Sequence, residues 1–212
     1  MRILDSAKYS DAMKRIALAL ALLTSPALAQ QPQYVLRCGP PIPSNTSHEK
    51  LAKQFGAKNV TVEKMDRGDG NFVGRTVLFA NDPARRIEIE WLDDGGRTCP
   101  VNVQVAGEKN RWTGPFGVRT GMTIQQFERI NGVPFKVLDF GSKTSVFANF
   151  RDGKLHRPTP RCAVSATFEL AGTPSAEFLK RLAGDEIDSK DPELLLLKPK
   201  VQSYSISYPP EC

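Results

Sequence analysis

The chain has 212 residues, 29 Lys plus Arg against 23 Asp plus Glu, a formal net charge of +6, four cysteines and two histidines. Its basic residues are scattered among acids, as where Lys180-Arg181 precedes Asp185-Glu186. That describes a mixed, solvated surface and argues against a nucleic-acid-binding stripe.

Near the start, Lys14-Arg15 leads into the apolar run Ile16-Ala17-Leu18-Ala19-Leu20-Ala21-Leu22-Leu23 and then Ser25-Pro26-Ala27-Leu28-Ala29. A short positive region, an apolar run and a small-residue A-x-A site predict a secretory signal peptide over residues 1–29, cleaved after Ala29. Met13, directly before Lys14, offers an alternative start. The apolar run is far shorter than the roughly 20 residues needed to span hydrocarbon, so a membrane span is not expected. Nor is a lipid anchor: Cys38 is the first cysteine, and Arg37 before it spoils a lipidation box. The expected location is periplasmic or secreted.

Removal of residues 1–29 takes away four basic residues (Arg2, Lys8, Lys14, Arg15) and two acidic ones (Asp5, Asp11), leaving a charge of +4. The mature chain, residues 30–212, can bury roughly 70% of its unfolded surface as one unit. Cys38, Cys99, Cys162 and Cys212 all lie within it. An even number in an oxidising compartment predicts two disulfides, with three possible connectivities. Pairing Cys38 with Cys99 and Cys162 with Cys212 is preferred, because each bridge then stays inside one half of the chain. None are spaced as a C-x-x-C redox or zinc motif.

After the Pro-rich Gly39-Pro40-Pro41-Ile42-Pro43, Thr46 and Glu49 form a capping box opening a helix to Phe55, closed by Gly56. The period then changes to two. Val60 and Val62 alternate with Thr61 and Glu63, and a turn at Arg67-Gly68-Asp69-Gly70-Asn71 leads to Val77-Leu78-Phe79. In residues 86–106, Ile87, Ile89 and Trp91 face one way and Glu88 and Glu90 the other. Val101 to Val105 returns with the same alternation, as an antiparallel pair. Thr123 and Gln126 make a second capping box before Ile124, Phe127 and Ile130, and Asn131-Gly132 ends that helix. Strands are expected at residues 135–138, 146–150 and 163–170. A third helix is predicted with Thr173 as N-cap and Pro174 at its first position. Finally Tyr204, Ile206 and Tyr208 alternate with Ser203, Ser205 and Ser207 as a C-terminal strand.

The stretch Gly121-Met122-Thr123-Ile124-Gln125-Gln126-Phe127-Glu128-Arg129-Ile130-Asn131-Gly132-Val133-Pro134 resembles the G-M-(S/T)-x-x-(E/Q) helix-and-turn signature of the β-lactamase-inhibitor-protein-like superfamily. That group includes the small lipoprotein of the outer-membrane assembly machine. With Thr76-Val77-Leu78-Phe79, Ile87 to Trp91 and Trp112, the chain looks closer to exported bacterial proteins of that fold. The resemblance covers roughly residues 44–140 and implies a helix-plus-sheet repeat. Two features depart from it: Asp139-Phe140-Gly141-Ser142 lacks the aromatic residues usual there, and the lipid-bearing cysteine is missing.

The chemistry-bearing residues form no catalytic string. Neither H-E-x-x-H nor G-x-S-x-G occurs, which leaves His48 and His156 as surface histidines. Asp66, Asp69 and Asn71 depart from calcium-loop spacing, and the adjacent Asp93 and Asp94 point apart in a strand; both groups read as turns. Trp91 sits on an apolar face and is expected in the core, whereas Trp112 with Arg111 beside it is a candidate partner contact. No metal or cofactor is expected.

These readings describe an α+β protein of two tandem halves, roughly 38–107 and 112–212, each a helix on an antiparallel sheet, with a third helix and a C-terminal strand. The expected role is non-catalytic binding of a protein or envelope component through an exposed sheet face. A hydrolase with an unrecognised Asp/Glu site, or an inhibitor of a secreted enzyme, is the alternative.

Overall fold

In the computed structural model the described residues are 34–210 without 69, 140, 143 and 161. The expected signal peptide and Cys212 lie outside them. Alternation of apolar and polar residues, which suits a half-buried pleated strand, recurs in β1 (Val60–Asp66), β2 (Phe72–Leu78), β3 (Ile87–Asp93), β4 (Thr98–Ala106), β5 (Lys136–Leu138), β6 (Ser145–Asn149), β7 (Ala163–Glu169), β8 (Ile187–Asp188) and β9 (Lys200–Ser207). They form one nine-stranded antiparallel sheet in the order β1-β2-β3-β4-β9-β7-β6-β5-β8. Four helices accompany it among the described residues: α1 (His48–Phe55), α2 (Ile124–Asn131), α3 (Ala176–Gly184) and α4 (Pro192–Leu196). The fold is mixed α+β and mostly sheet.

Strand register decides which side chains share a face. Ile89, Val103, Ile206 and Val164 stand in one row across β3, β4, β9 and β7, with Val105, Tyr204 and Ala166 in the next. These residues join a single core with Leu51 of α1, Ile124 and Phe127 of α2, Phe178 and Leu182 of α3, and Leu194 of α4. The helices therefore cover one face of the sheet. Phe127, Phe135, Phe150 and Phe168 pack around one another at ring separations of 5.0 to 6.0 Å, at the spacing of offset-stacked and edge-to-face pairs.

Local chemistry sets the helix ends. The capping box of α2 forms as expected: the Thr123 hydroxyl accepts from Gln126 N, and the Gln126 side chain accepts from Thr123 N. Gly132 closes α2 in the left-handed region. Asn131, fully buried, fastens the next loop, donating to the carbonyls of Val133 and Asp152 and accepting from Leu155 N. The other two caps differ from expectation. Ser47, not Thr46, caps α1, because Thr46 is buried and its carbonyl accepts from Cys99 N. Ser175, not Thr173, caps α3.

The preferred cysteine pairing is corrected. Cys38 is bonded to Cys162, with Cα atoms 5.6 Å apart, and Cys99 is also disulfide-bonded. The reason lies in the strap preceding α1. Leu36 N donates to Thr113 O and Thr113 N to Tyr34 O, while the Tyr208 hydroxyl donates to Ile42 O at 2.6 Å. These contacts carry the strap to the middle of the sheet, where Cys162 enters β7, rather than keeping it beside the first four strands.

Non-reducing peptide mapping should recover the Cys38 peptide joined to the Cys162 peptide; a Cys38–Cys99 species would contradict this structure. The bridge closes a loop of 124 residues, so the Cys38→Ser, Cys162→Ser double variant should lose about 2–5 kcal/mol of unfolding free energy in urea titrations.

Candidate functional site on the open face of the sheet

The side chains between the core residues of each strand define the opposite face. Register places Glu88, Gln104, Ser205 and Ser165 in one row across β3, β4, β9 and β7, and Glu90, Asn102 and Ser207 in the next. Ser165 and Ser205 share a hydrogen bond of 2.6 Å, and Asn102 Nδ2 donates to Glu90 Oε1 at 3.1 Å. The centre of this face is thus built of hydroxyl and amide groups, with Ser203 and Thr167 paired alongside.

Ion pairs bound the belt on both sides. Toward β1, Arg86 forks onto both Glu63 oxygens at 3.0 and 2.6 Å, and its Nε donates to Glu88 Oε1 at 3.0 Å. Arg75 joins Glu88 and Glu63 to the same cluster. The Arg86 hydrogen bond is the main cause that holds the Glu63 carboxyl below its usual range. Val77, opposite Glu88 on this face, is fully buried. Toward β8, Lys136 pairs with Asp188 at 3.1 Å, and Glu186 accepts from Asn149 and Arg151. The Asn149 hydrogen bond leads the causes that lower the Glu186 pKa, and the Lys190 backbone N–H leads for Asp188. Glu63, Glu186 and Asp188 are thus held by partners that favour their charged forms. What the face offers a ligand is hydrogen bonding at its centre and fixed, paired charges at its margins.

The residues singled out in the sequence fall elsewhere. Trp112 is corrected from a contact to a core residue: it is 4% exposed, its Nε1 donates to Arg85 O at 2.9 Å, and its ring packs on Tyr34. Arg111 is exposed and lies 5.1 Å over the Tyr34 ring. Trp91 is buried as expected. Asp66 and Asp93 serve turns, accepting from Gly68 N and Gly96 N, and Asp69 lies outside the described residues. His156 Nδ1 bonds the Phe150 carbonyl. Among the described residues no group of three His, Cys, Asp or Glu could hold a metal ion, and no helix is long and apolar enough to cross a membrane. The open-face belt carries no motif of its own; the alternating Ser203, Ser205 and Ser207 are its visible trace in the sequence.

His48 is more constrained than a surface histidine. Trp91 Nε1 donates to the buried Thr76 hydroxyl at 3.0 Å, and that hydroxyl lies 2.9 Å from His48 Nδ1. Because an indole N–H only donates, the hydroxyl is free to donate its own hydrogen to a neutral imidazole. Compared with protein families, curated proteins and solved structures, the chain finds no match.

Burial, aided by Arg97, lowers the His48 pKa from 6.5. Below that pH the unfolded chain takes up a proton that the folded chain resists, so this contribution is present above pH 6.5 and is lost as pH falls. Urea midpoints at pH 7.5 and 5.5 should therefore drop more for the wild type than for His48→Gln. Equal drops would contradict the assignment.

Proposed function

We propose that this is a non-catalytic binding protein of the periplasm or the extracellular medium, which engages another protein or an envelope component through the open face of its sheet. The observation that carries this reading is the polar row from Glu88 through Gln104 and Ser205 to Ser165, which crosses four strands on the face that the core helices leave uncovered. A partner laid across it meets hydroxyl and amide groups that can donate and accept. The ion-pair clusters at the margins are held in place by their own partners, so little side-chain freedom is lost on binding. The Cys38–Cys162 bridge is the kind of bond that persists in an oxidising compartment, which supports export.

The same reading holds that the chain is two tandem halves. The strand order divides at the β4–β9 pair into β1-β2-β3-β4 and β9-β7-β6-β5. Each set follows a helix, α1 or α2, and the second takes α3, β8 and α4 as an insertion before its last strand. Two such units, meeting edge to edge, make a face twice as wide as either could offer. That agrees with the helix-and-turn signature at Gly121 to Pro134 and its resemblance to the β-lactamase-inhibitor-protein-like superfamily.

A photo-crosslinking amino acid placed at Gln104 or Ser205 in exporting cells should trap the same envelope partner from both positions. The same group at Glu49 or Lys53, exposed on α1, should trap none. Equal yields from both sets, or none from the sheet face, would overturn the reading.

A further inference from the structure

A second surface begins on the other side of the sheet, and its chemistry differs from that of the open face. The described residues of segments 34–47, 109–127 and 153–168 include six Lys or Arg and no Asp or Glu. The fold gathers them: residues 34–36 pair with Thr113, and Cys38 is bonded to Cys162. Between them runs a cleft of about 470 Å³ lined by Val35, Arg37, Pro115, Phe116 and Pro158. Past the disulfide a further cleft of about 320 Å³ is lined by Arg157, Pro160 and Tyr208 and reaches Ser207 at the end of β9. Gly114 fixes the side on which the first of these clefts lies, since a Cβ there would stand 2.7 Å from the Tyr204 ring, which belongs to the helix-covered core.

Phe116 stands at the rim, 56% exposed and at φ 56°, ψ 18°. A bulky residue rarely takes the left-handed region, and a large apolar side chain gains nothing from water. Both costs fall on one residue, and it borders the apolar cleft. Around it, no carboxylate pairs with Arg37, Arg119 or Arg157 among the described residues. Asp82, the acid nearest Arg111 in charge effect, is already bonded to Arg85 at 2.6 Å.

We propose that this groove docks an acidic protein segment carrying one apolar anchor side chain. The anchor fills the cleft against Phe116, Val35 and Pro158, and flanking carboxylates pair with Arg37 and Arg157. Charge complementarity selects the partner's sign, and recessed apolar walls select a side chain over a lipid surface. A membrane-inserting face presents several protruding apolar groups, whereas Phe116 is the one exposed large apolar residue among those that line this cleft.

The test uses the oxidised mature protein and a fluorescein-labelled peptide with a Leu-Phe pair between runs of Asp and Glu, read by anisotropy. Binding should be saturable and weakened by salt. It should fall roughly tenfold or more with Phe116→Gly, and likewise with Arg37→Glu combined with Arg157→Glu. Gln104→Arg on the open face should leave it unchanged. Glycine accepts the left-handed backbone, so Phe116→Gly should keep its thermal midpoint within about 3 °C of wild type, which separates lost binding from misfolding. Absent saturable binding, equal binding of a lysine counterpart, or full binding by both variants would overturn the proposal. So would tighter, variant-sensitive binding to phosphatidylglycerol vesicles, which would assign the groove to a membrane.

Discussion

Ile206 pairs across β9 with Val103 of β4 on one side and Val164 of β7 on the other, and through this strand the sheet becomes continuous. The strand nearest the C-terminus thus occupies the centre of the structure. Its inward residues, Tyr204 and Ile206, are almost fully buried, while the half-buried Ser205 and Ser207 supply the middle of the opposite face. Contacts between residues about a hundred positions apart must form before the core is sealed, and such pairings are slow to close. In return, one strand of period two serves both the packing of the core and the polar belt.

Other features follow from that central position. Gly114 has no room for a side chain because the Tyr204 ring lies against it. The Tyr208 hydroxyl, just beyond β9, holds the strap at Ile42, and the strap in turn brings Cys38 to Cys162 and covers Trp112 with Tyr34. The seam of the sheet thereby organises two surfaces of unlike character. One is built of neutral hydroxyl and amide groups at its centre and bounded by ion pairs. The other is an apolar cleft rimmed by arginines that have no carboxylate partner within the described structure.

Much of this was legible where the causes are local. The alternation of Ile87, Ile89 and Trp91 marked β3 because a half-buried strand imposes that period, and the Thr123–Gln126 box marked α2 because both partners lie within one turn. Where two hydroxyls compete for a cap the reading slipped by a residue or two, since the burial of Thr46 is a tertiary fact. Helix α4 carried its own marks, Asp191 accepting from Glu193 N and Leu194 N with Pro192 at the first position, but the leucine run 194–197, most of it within the helix, obscures the period. The disulfide and Trp112 misled for one reason. Both depend on where the strap runs, and that depends on strand order, which local pattern does not encode. The open face was half legible: alternation tells which serines share a side, but not that no core helix covers it.

Hydrogen exchange of the mature protein, followed residue by residue, tests most directly whether β9 unites one cooperative sheet. The account predicts that the amides of Tyr204 and Ile206 exchange among the slowest, together with those of β4 and β7, at the rate of global unfolding. Fast exchange in β9 while β1–β4 and β5–β7 remain protected at two different rates would contradict it, because the halves would then be separate units that merely abut.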